Sequence, residues 1–427
     1  MDFDAIVIGA GAAGMAAARR LARRSKRVVV LEARDRIGGR TWSQPLASTK
    51  KPVELGAEFI HGRAVETMAL LGETGGSALE IEGDSWIAGE NGLLQLEQTD
   101  FRSSPSLFGG VAALAEDETV DEYLQRFAGN ASMREIVATA RGFVEGFDAA
   151  DPAIASVRSI AQEWRSGTDD VAARPSGGYA PIFERLYRDC LEAGVTFCLP
   201  SIVSRIAWRR GEVRVDAMDS GPRTIAARSA IVTLPIGVLR RGDVTFEPSL
   251  PASKLEALRS IEMGHVVKIA LAFRTPFWER ILSGRYRDAG FFRGPGQAFA
   301  AYWAQLPLRS NVITAWVGGP KAIALYDVSK NELVRIACDE FGALLGDSAL
   351  ARAEFAESAS HDWSNDPFAR GAYSYVVAGG DTARAVLGAP VDDTLYFAGE
   401  ATSTDGQGGT VNGALESGER AATEAAA

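Results

Sequence analysis

The chain has 427 residues, too many for one ordinary hydrophobic core, so two domains are expected. With 46% hydrophobic and 23% charged residues it reads as globular, and a net charge of −10 without a dense Lys/Arg run argues against a nucleic-acid partner. Three cysteines (Cys190, Cys198, Cys338) and three histidines (His61, His265, His361), all scattered, argue against a disulfide framework and a histidine-based metal site.

The N-terminus "MDFDAIVIGAG" carries acids where a signal peptide needs bases, and its apolar run has the length of a strand. No stretch approaches the roughly 20 apolar residues of a membrane span. The end, "ERAATEAAA", is neither a tail anchor nor a peroxisomal tripeptide. No membrane partner and a cytoplasmic location are expected.

The segment "DAIVIGAGAAGMAAARRLARRSKRVVVLEAR" reads as strand, helix, strand. Ala5 to Ile8 is an apolar strand, the helix formers follow, and Val28 to Leu31 is the second strand. Gly9, Gly11 and Gly14, with Ala13 inside the turn, form a G-x-G-x-x-G motif between the first two elements. Gly9 permits the turn, Gly11 lets backbone approach a pyrophosphate, and Gly14 lets helix pack on strand. The helix N-terminus then offers free N–H groups and partial positive charge to phosphate. Glu32 ends the second strand, where a carboxylate accepts hydrogen bonds from ribose hydroxyls and repels a 2′-phosphate. Dinucleotide binding is predicted, with NADP disfavoured.

Next come "EARDRIGGRTWS", with Ala33, Arg34, Gly39 and Arg40, and "VELGAEFIHG", with Gly56, Ala57, Glu58, Phe59 and His61. The first run resembles the second flavin motif of the flavin-containing amine oxidase superfamily, and the second resembles that family's next segment. The resemblance implies FAD as cofactor, with the second loop passing close to the isoalloxazine. It continues at intervals along the chain. From about 100 to 175 the pattern is mostly helical, as in "VDEYLQRFAGNASMREIVATARGFVEGF". "PSGGYAPIFERL" resembles the return from a substrate-domain insertion, and alternating strands follow to Thr233-Leu234-Pro235. Val203, on the first of them, matches the position that touches adenine. "VVKIALAF", "AFAAYWAQ" and "NVITAWVGG" read as strands and "NELVRIACDEFGALLG" as a helix. Near the end, "LYFAGEATS" closes a strand at Gly399-Glu400, and a glycine-rich stretch feeds a last helix from Thr410 and Val411. The resemblance implies a second FAD contact here. N–H groups near Gly399 and Glu400 would meet the pyrophosphate and ribityl chain, and the helix dipole would face the flavin N1–C2=O edge.

The expected fold class is α/β, a Rossmann-like FAD-binding domain interleaved with a mixed-sheet plus helical substrate domain. The FAD-binding domain is expected over 1–75, 176–245 and 380–427, and the substrate domain over 76–175 and 246–379.

By resemblance the chain is an FAD-dependent amine oxidase. It would transfer hydride from an amine to flavin N5, giving an imine and then an aldehyde, while O2 is reduced to H2O2. Lys268, a cation on an apolar strand, must be paired or hold water; its family counterpart binds a water bridging to N5. Tyr373 matches the aromatic wall against the amine, and Trp363 would pack on the flavin. Ala372 stands where monoamine oxidases carry the cysteine that bonds the flavin, so noncovalent FAD is expected. Thr410 stands where those enzymes carry a second tyrosine, a pattern closer to the polyamine oxidase and histone demethylase branch. His61 falls where polyamine oxidases carry a histidine. Glu145 and Asp148 are expected on the roof of the pocket, suited to a distal ammonium, and a polyamine or diamine is the favoured substrate. A monoamine oxidase, an L-amino-acid oxidase and a flavoprotein dehydrogenase are the alternatives. Lys268, Tyr373 and Trp363 together argue against a flavin-binding scaffold without turnover.

Overall fold

The computed structural model describes residues 1–49, 51–89, 92–96, 107–167, 172–294 and 298–427. Its first sheet is parallel and five-stranded. The strand order is Thr196–Cys198, Val28–Leu31, Ala5–Ile8, Ser229–Val232 and Leu395–Phe397. Three distant stretches of chain therefore meet in one sheet. Its central strands are buried at every position and apolar at all but Ser229, because both faces are covered. Ala5, Val7, Val28 and Val30 face the helices Ala12–Arg23, Ala180–Glu192 and Val411–Ala425. Ile6, Ile8, Val29 and Leu31 face a four-stranded sheet that contains Ile202–Arg209.

The first and last helices lie against each other closely enough that a Cβ on Gly418 would sit 2.2 Å from the Ala13 oxygen. Gly14 is as constrained: a Cβ there would sit 1.9 Å from the Gly9 oxygen. The glycine spacing thus sets the distance between helix and strand.

The second part is built on a seven-stranded sheet. Its order is Phe355–Ser360, Val266–Phe273, Val312–Gly318, Ala301–Trp303, Ala289–Arg293, Asp84–Gly89 and Gly92–Leu96. One face packs Phe273, Phe292, Ile313 and Ala315 against Ala337, Cys338 and Phe341 of the helix Lys330–Leu344. A helical layer, Val120–Gln125, Arg134–Gly146 and Val157–Arg165, has its own core around Val144, Ile160 and Trp164. The first part is thus a parallel α/β sheet covered by helices, and the second a mixed sheet joined to a helical layer. Among the described residues no helix is long and apolar enough to cross a membrane, and no group of His, Cys, Asp and Glu could hold a metal ion.

Candidate active site

A cavity of about 1510 Å³ runs from the glycine motif to the open face of the seven-stranded sheet. It exceeds the ~300–1,000 Å³ of an ordinary ligand pocket, which leaves room for a dinucleotide and a substrate together. All the candidate site residues line it except Gly14, whose closeness to Gly9 leaves no space for a ligand.

At the nucleotide end Gly9 has φ +109°, open to glycine alone, and a Cβ there would strike Thr233 Oγ1. Glu32 sits 4% exposed, accepting the Ala10 N–H at 2.7 Å and the Arg34 N–H at 2.9 Å. Two backbone donors hold it rigid while its remaining lone pairs face the cavity. Ser201, next to Val203, buries a hydroxyl that has no partner among the described residues. An unsatisfied hydroxyl, a fixed carboxylate and a helix N-terminus fit the adenosine and pyrophosphate of FAD. Arg34 reaches Asp366 at 2.7 Å, and Asp366 also meets His361 Nε2 at 2.7 Å. Burial would raise the Asp366 carboxyl, but His361 and Arg34 hold it well below the usual carboxylate range.

The middle of the cavity joins the two ends of the chain. Arg40 Nη1 donates to Glu400 Oε1 at 2.8 Å and to the Ala372 carbonyl at 2.9 Å. Glu400 Oε2 accepts from the Ser374 hydroxyl at 2.6 Å and from the Gly409 N–H at 3.2 Å. Burial alone would neutralise Glu400, yet Arg40 and Arg384 keep its pKa low. One expectation is corrected here. The Gly399 N–H is already given to Ser417 Oγ at 2.9 Å, so it is not a donor to the pyrophosphate. Gly399 instead has φ +138° and open space where a Cβ would be, which allows close approach of a ligand. Thr410 caps the last helix by accepting the Gly413 N–H at 2.9 Å, so the helix N-terminus at Val411 opens on the cavity. Trp363 is 3% exposed, held by Nε1–H to the Leu55 carbonyl at 2.9 Å, with its ring lining the cavity.

On the sheet floor of the cavity stands Lys268, 4% exposed. It is paired: Nζ lies 2.7 Å from Glu58 Oε2 and donates to the Gly56 carbonyl at 3.0 Å. Glu58 also accepts from Arg174 Nε at 2.8 Å and Trp303 Nε1 at 3.1 Å. Burial would raise the Glu58 carboxyl, but the two cations hold it at about 2. Lys268, Glu58 and Arg174 thus form a fixed charge triad with one net positive charge. The sequence pointed to Lys268 and to Glu58 separately, and nothing in the spacing of "AARPSGG" marked Arg174 as the third member.

Tyr373 donates its hydroxyl to the Phe147 carbonyl at 2.5 Å, which fixes the ring. Burial, with Asp148 and Glu163 nearby, pushes its pKa far up, so it stays a neutral wall. His61 packs edge-on against Phe147 at 5.2 Å between ring centroids. Asp148 Oδ2 accepts the Trp164 indole N–H at 3.2 Å. Glu145 departs from expectation: one oxygen meets Arg141 at 2.5 Å and the other Lys321 at 3.5 Å. Its charge is spent on two cations of the chain, which leaves little for a ligand's ammonium. A carboxylate that the sequence did not single out, Glu163, lines the same region. Burial pushes it up to about 7, against the opposing pull of Arg384, whose Nη2 stands 3.2 Å away. Its only sequence signal was an acid on an amphipathic helix, which usually means a solvated face.

A family model described as flavin containing amine oxidoreductase matches residues 12–426. A lysine-specific histone demethylase 1 homolog 2 of Oryza sativa subsp. japonica is 29% identical over 98% of this chain and 56% of its own length. Lysine-specific histone demethylase 2 of Homo sapiens is 29% identical over 99% of this chain and 53% of its own. The chain thus spans little more than half the length of these two relatives. Polyamine oxidase 4 of Oryza sativa subsp. japonica is 29% identical over 98% and 88%. Among solved structures, a putrescine oxidase bound to putrescine superposes with a TM-score of 0.82 at 21% identity, covering 99% of this chain and 98% of that one. Cyclohexylamine oxidase from Brevibacterium oxydans IH-35A gives 0.81 at 22%, covering 100% and 99%. At these identities the two structures share the fold.

Proposed function

The chain belongs to the family of flavin-containing amine oxidoreductases, and on that premise we propose that it oxidises an amine to an imine, which water hydrolyses to a carbonyl compound, with O2 reduced to H2O2. Its cofactor is FAD, and it is an FAD-dependent amine oxidase. The observation that carries the reading is the buried Lys268–Glu58–Arg174 triad, whose Lys268 and Glu58 line the same cavity as the glycine motif.

Bound FAD supplies the two-electron acceptor that the chain itself lacks. The remaining tasks belong to side chains. Tyr373, its hydroxyl anchored on Phe147, presents a fixed ring face that attracts the amine. Asp148 brings a carboxyl to that corner, which draws in a protonated amine. The amine must lose its proton before reacting, and Glu163, at about 7, is poised to take it near neutral pH. His61 stands at the same corner as a further polar contact for the amine. The Lys268 ammonium, held in place by Glu58, would supply a fixed cation for the charge that develops as O2 is reduced. Trp303, Trp316 and Phe59 keep the floor apolar, which strengthens every charge interaction above it.

The diamine or polyamine refinement is supported by the names of the relatives and by the acids near Tyr373. It is not helped by Glu145, which is neutralised within the chain. The test is anaerobic addition of a panel of amines to the purified holoenzyme. Bleaching of the oxidised flavin band, followed by peroxide on admitting air, is expected. A panel of primary, secondary and poly-amines that leaves the band unchanged would sink the proposal.

A further inference from the structure

The open face of the seven-stranded sheet is the floor of the cavity, and its register lays out charges in a row. Residues directly opposite on neighbouring strands share a face. Lys268 stands opposite Trp316, Trp316 opposite Ala301, Ala301 opposite Arg293, and Arg293 opposite Ile87. All five line the cavity. Strands lie about 4.8 Å apart, so three steps put the Arg293 backbone about 14 Å from that of Lys268. The floor between them is Trp316 and Ala301, flanked by Trp303 and Phe291 one pleat along. Among the described strand residues of this face that line the cavity, Lys268 and Arg293 are the charged ones.

Both cations have contacts within the chain. Lys268 is answered by Glu58 at 2.7 Å. Burial pushes the Arg293 pKa down to about 10, a net lowering that means withdrawal of water outweighs any countercharge around it. A guanidinium stays charged at neutral pH, and its five N–H donors can serve a contact within the chain and a ligand at once. Its fork matches a carboxylate in bidentate fashion. A distal ammonium on the same floor would meet like charge instead.

Resting on the amine-oxidase reading, we infer that Arg293 receives a carboxylate at the end of the substrate remote from the reacting amine. The substrate is then an ω-amino acid or a similar amine that bears an anion, and not a polyamine. The three-strand separation further implies that amine and carboxylate are spaced by a chain, unlike those of an α-amino acid.

The test compares three ligands of equal chain length, across a series of lengths: a monoamine, an α,ω-diamine and an ω-amino carboxylate. Each is titrated anaerobically into the holoenzyme while the flavin spectrum is followed. The ω-amino carboxylate is expected to have the lowest apparent Kd. In Arg293→Met its preference over the monoamine should fall about ten- to a hundredfold, the worth of a charge-assisted hydrogen-bonded pair. Arg293→Lys should fall between, since it keeps the charge and loses the fork. In parallel, simple alkyl carboxylates, which cannot be oxidised, should perturb the wild-type flavin spectrum and bind less well to both variants. A diamine that outcompetes the ω-amino carboxylate in wild type overturns the inference, as does a Met variant that weakens all three ligands equally. If Arg293→Met does not retain flavin, the wild-type ranking and the Lys variant decide. Should none of the amines reduce the flavin while alkyl carboxylates still bind through Arg293, the oxidase reading fails and the anion site stands.

Discussion

Replacing Glu58 by Gln removes one negative charge from between two buried cations and keeps the shape of the side chain. Lys268 Nζ lies 2.7 Å from one oxygen and Arg174 Nε 2.8 Å from the other. These cations hold the carboxyl at about 2, against an ordinary value of 4.5 and against the upward push of burial. By linkage the difference contributes about 3 kcal/mol of stability at neutral pH. Because the folded pKa is the lower one, this stabilisation is complete well above pH 4.5 and is lost as pH falls towards 2. About 1 kcal/mol of it should be gone by pH 4 and about 2 by pH 3. The variant also leaves Lys268 and Arg174 facing each other without an anion, so its total cost at pH 7 is expected at about 3–5 kcal/mol. Urea unfolding with FAD at the same saturating concentration in every sample measures this, since a ligand of the folded state shifts apparent stability. Wild type should lose about 1 kcal/mol more than Glu58→Gln between pH 7 and pH 4. A variant as stable as wild type at pH 7, or one with the same pH dependence, would refute the charge triad.

Lys268→Met should slow reoxidation of the reduced flavin by O2 on the order of 10²-fold, the usual loss for a preorganised charge, with a smaller effect on substrate binding. Stopped-flow mixing with oxygen reads it, and equal rates in variant and wild type would remove Lys268 from the chemistry. Glu32→Ala should weaken FAD binding by about 1–3 kcal/mol, because the Ala10 and Arg34 N–H groups and the ribose lose a shared acceptor. Equilibrium dialysis of the apoprotein against FAD checks this, and an unchanged affinity would mean that the ribose is held elsewhere. Acid precipitation of the holoenzyme should leave all the yellow colour in the supernatant, since Ala372 has no thiol to bond the flavin; colour in the pellet would contradict this.

Much of the cofactor end was legible because its determinants are local. The G-x-G-x-x-G spacing, the acid after the second strand and the glycine-rich approach to the last helix act within a few residues of themselves. Where local reading stopped short, the cause was a partner that it had not paired with the residue. Gly399 was assigned a donor N–H, which Ser417, 18 residues on, already occupies. Glu145 looked like a free acid on a helix, until Arg141 and Lys321 closed on it. Glu163 was not singled out at all, and packing buried it beside Arg384, 221 residues later.

The sequence by itself pointed to a dinucleotide between the two ends of the chain, because glycines, caps and strand-ending acids set backbone geometry over short distances. It also marked Lys268 as a cation that needed a partner, since apolar neighbours on one strand guarantee burial. Only the tertiary structure decided what answers that cation and what lies across from it. Glu58 meets Lys268 across more than two hundred residues of chain, and Arg174 meets Glu58 across 116. Arg293 shares its floor because three strand pairings fall in a particular register. A slip of one residue in any pairing would turn Arg293 to the opposite face. That register is fixed by the packing of the whole sheet against the helix beneath it, and no local pattern in the strands encodes it.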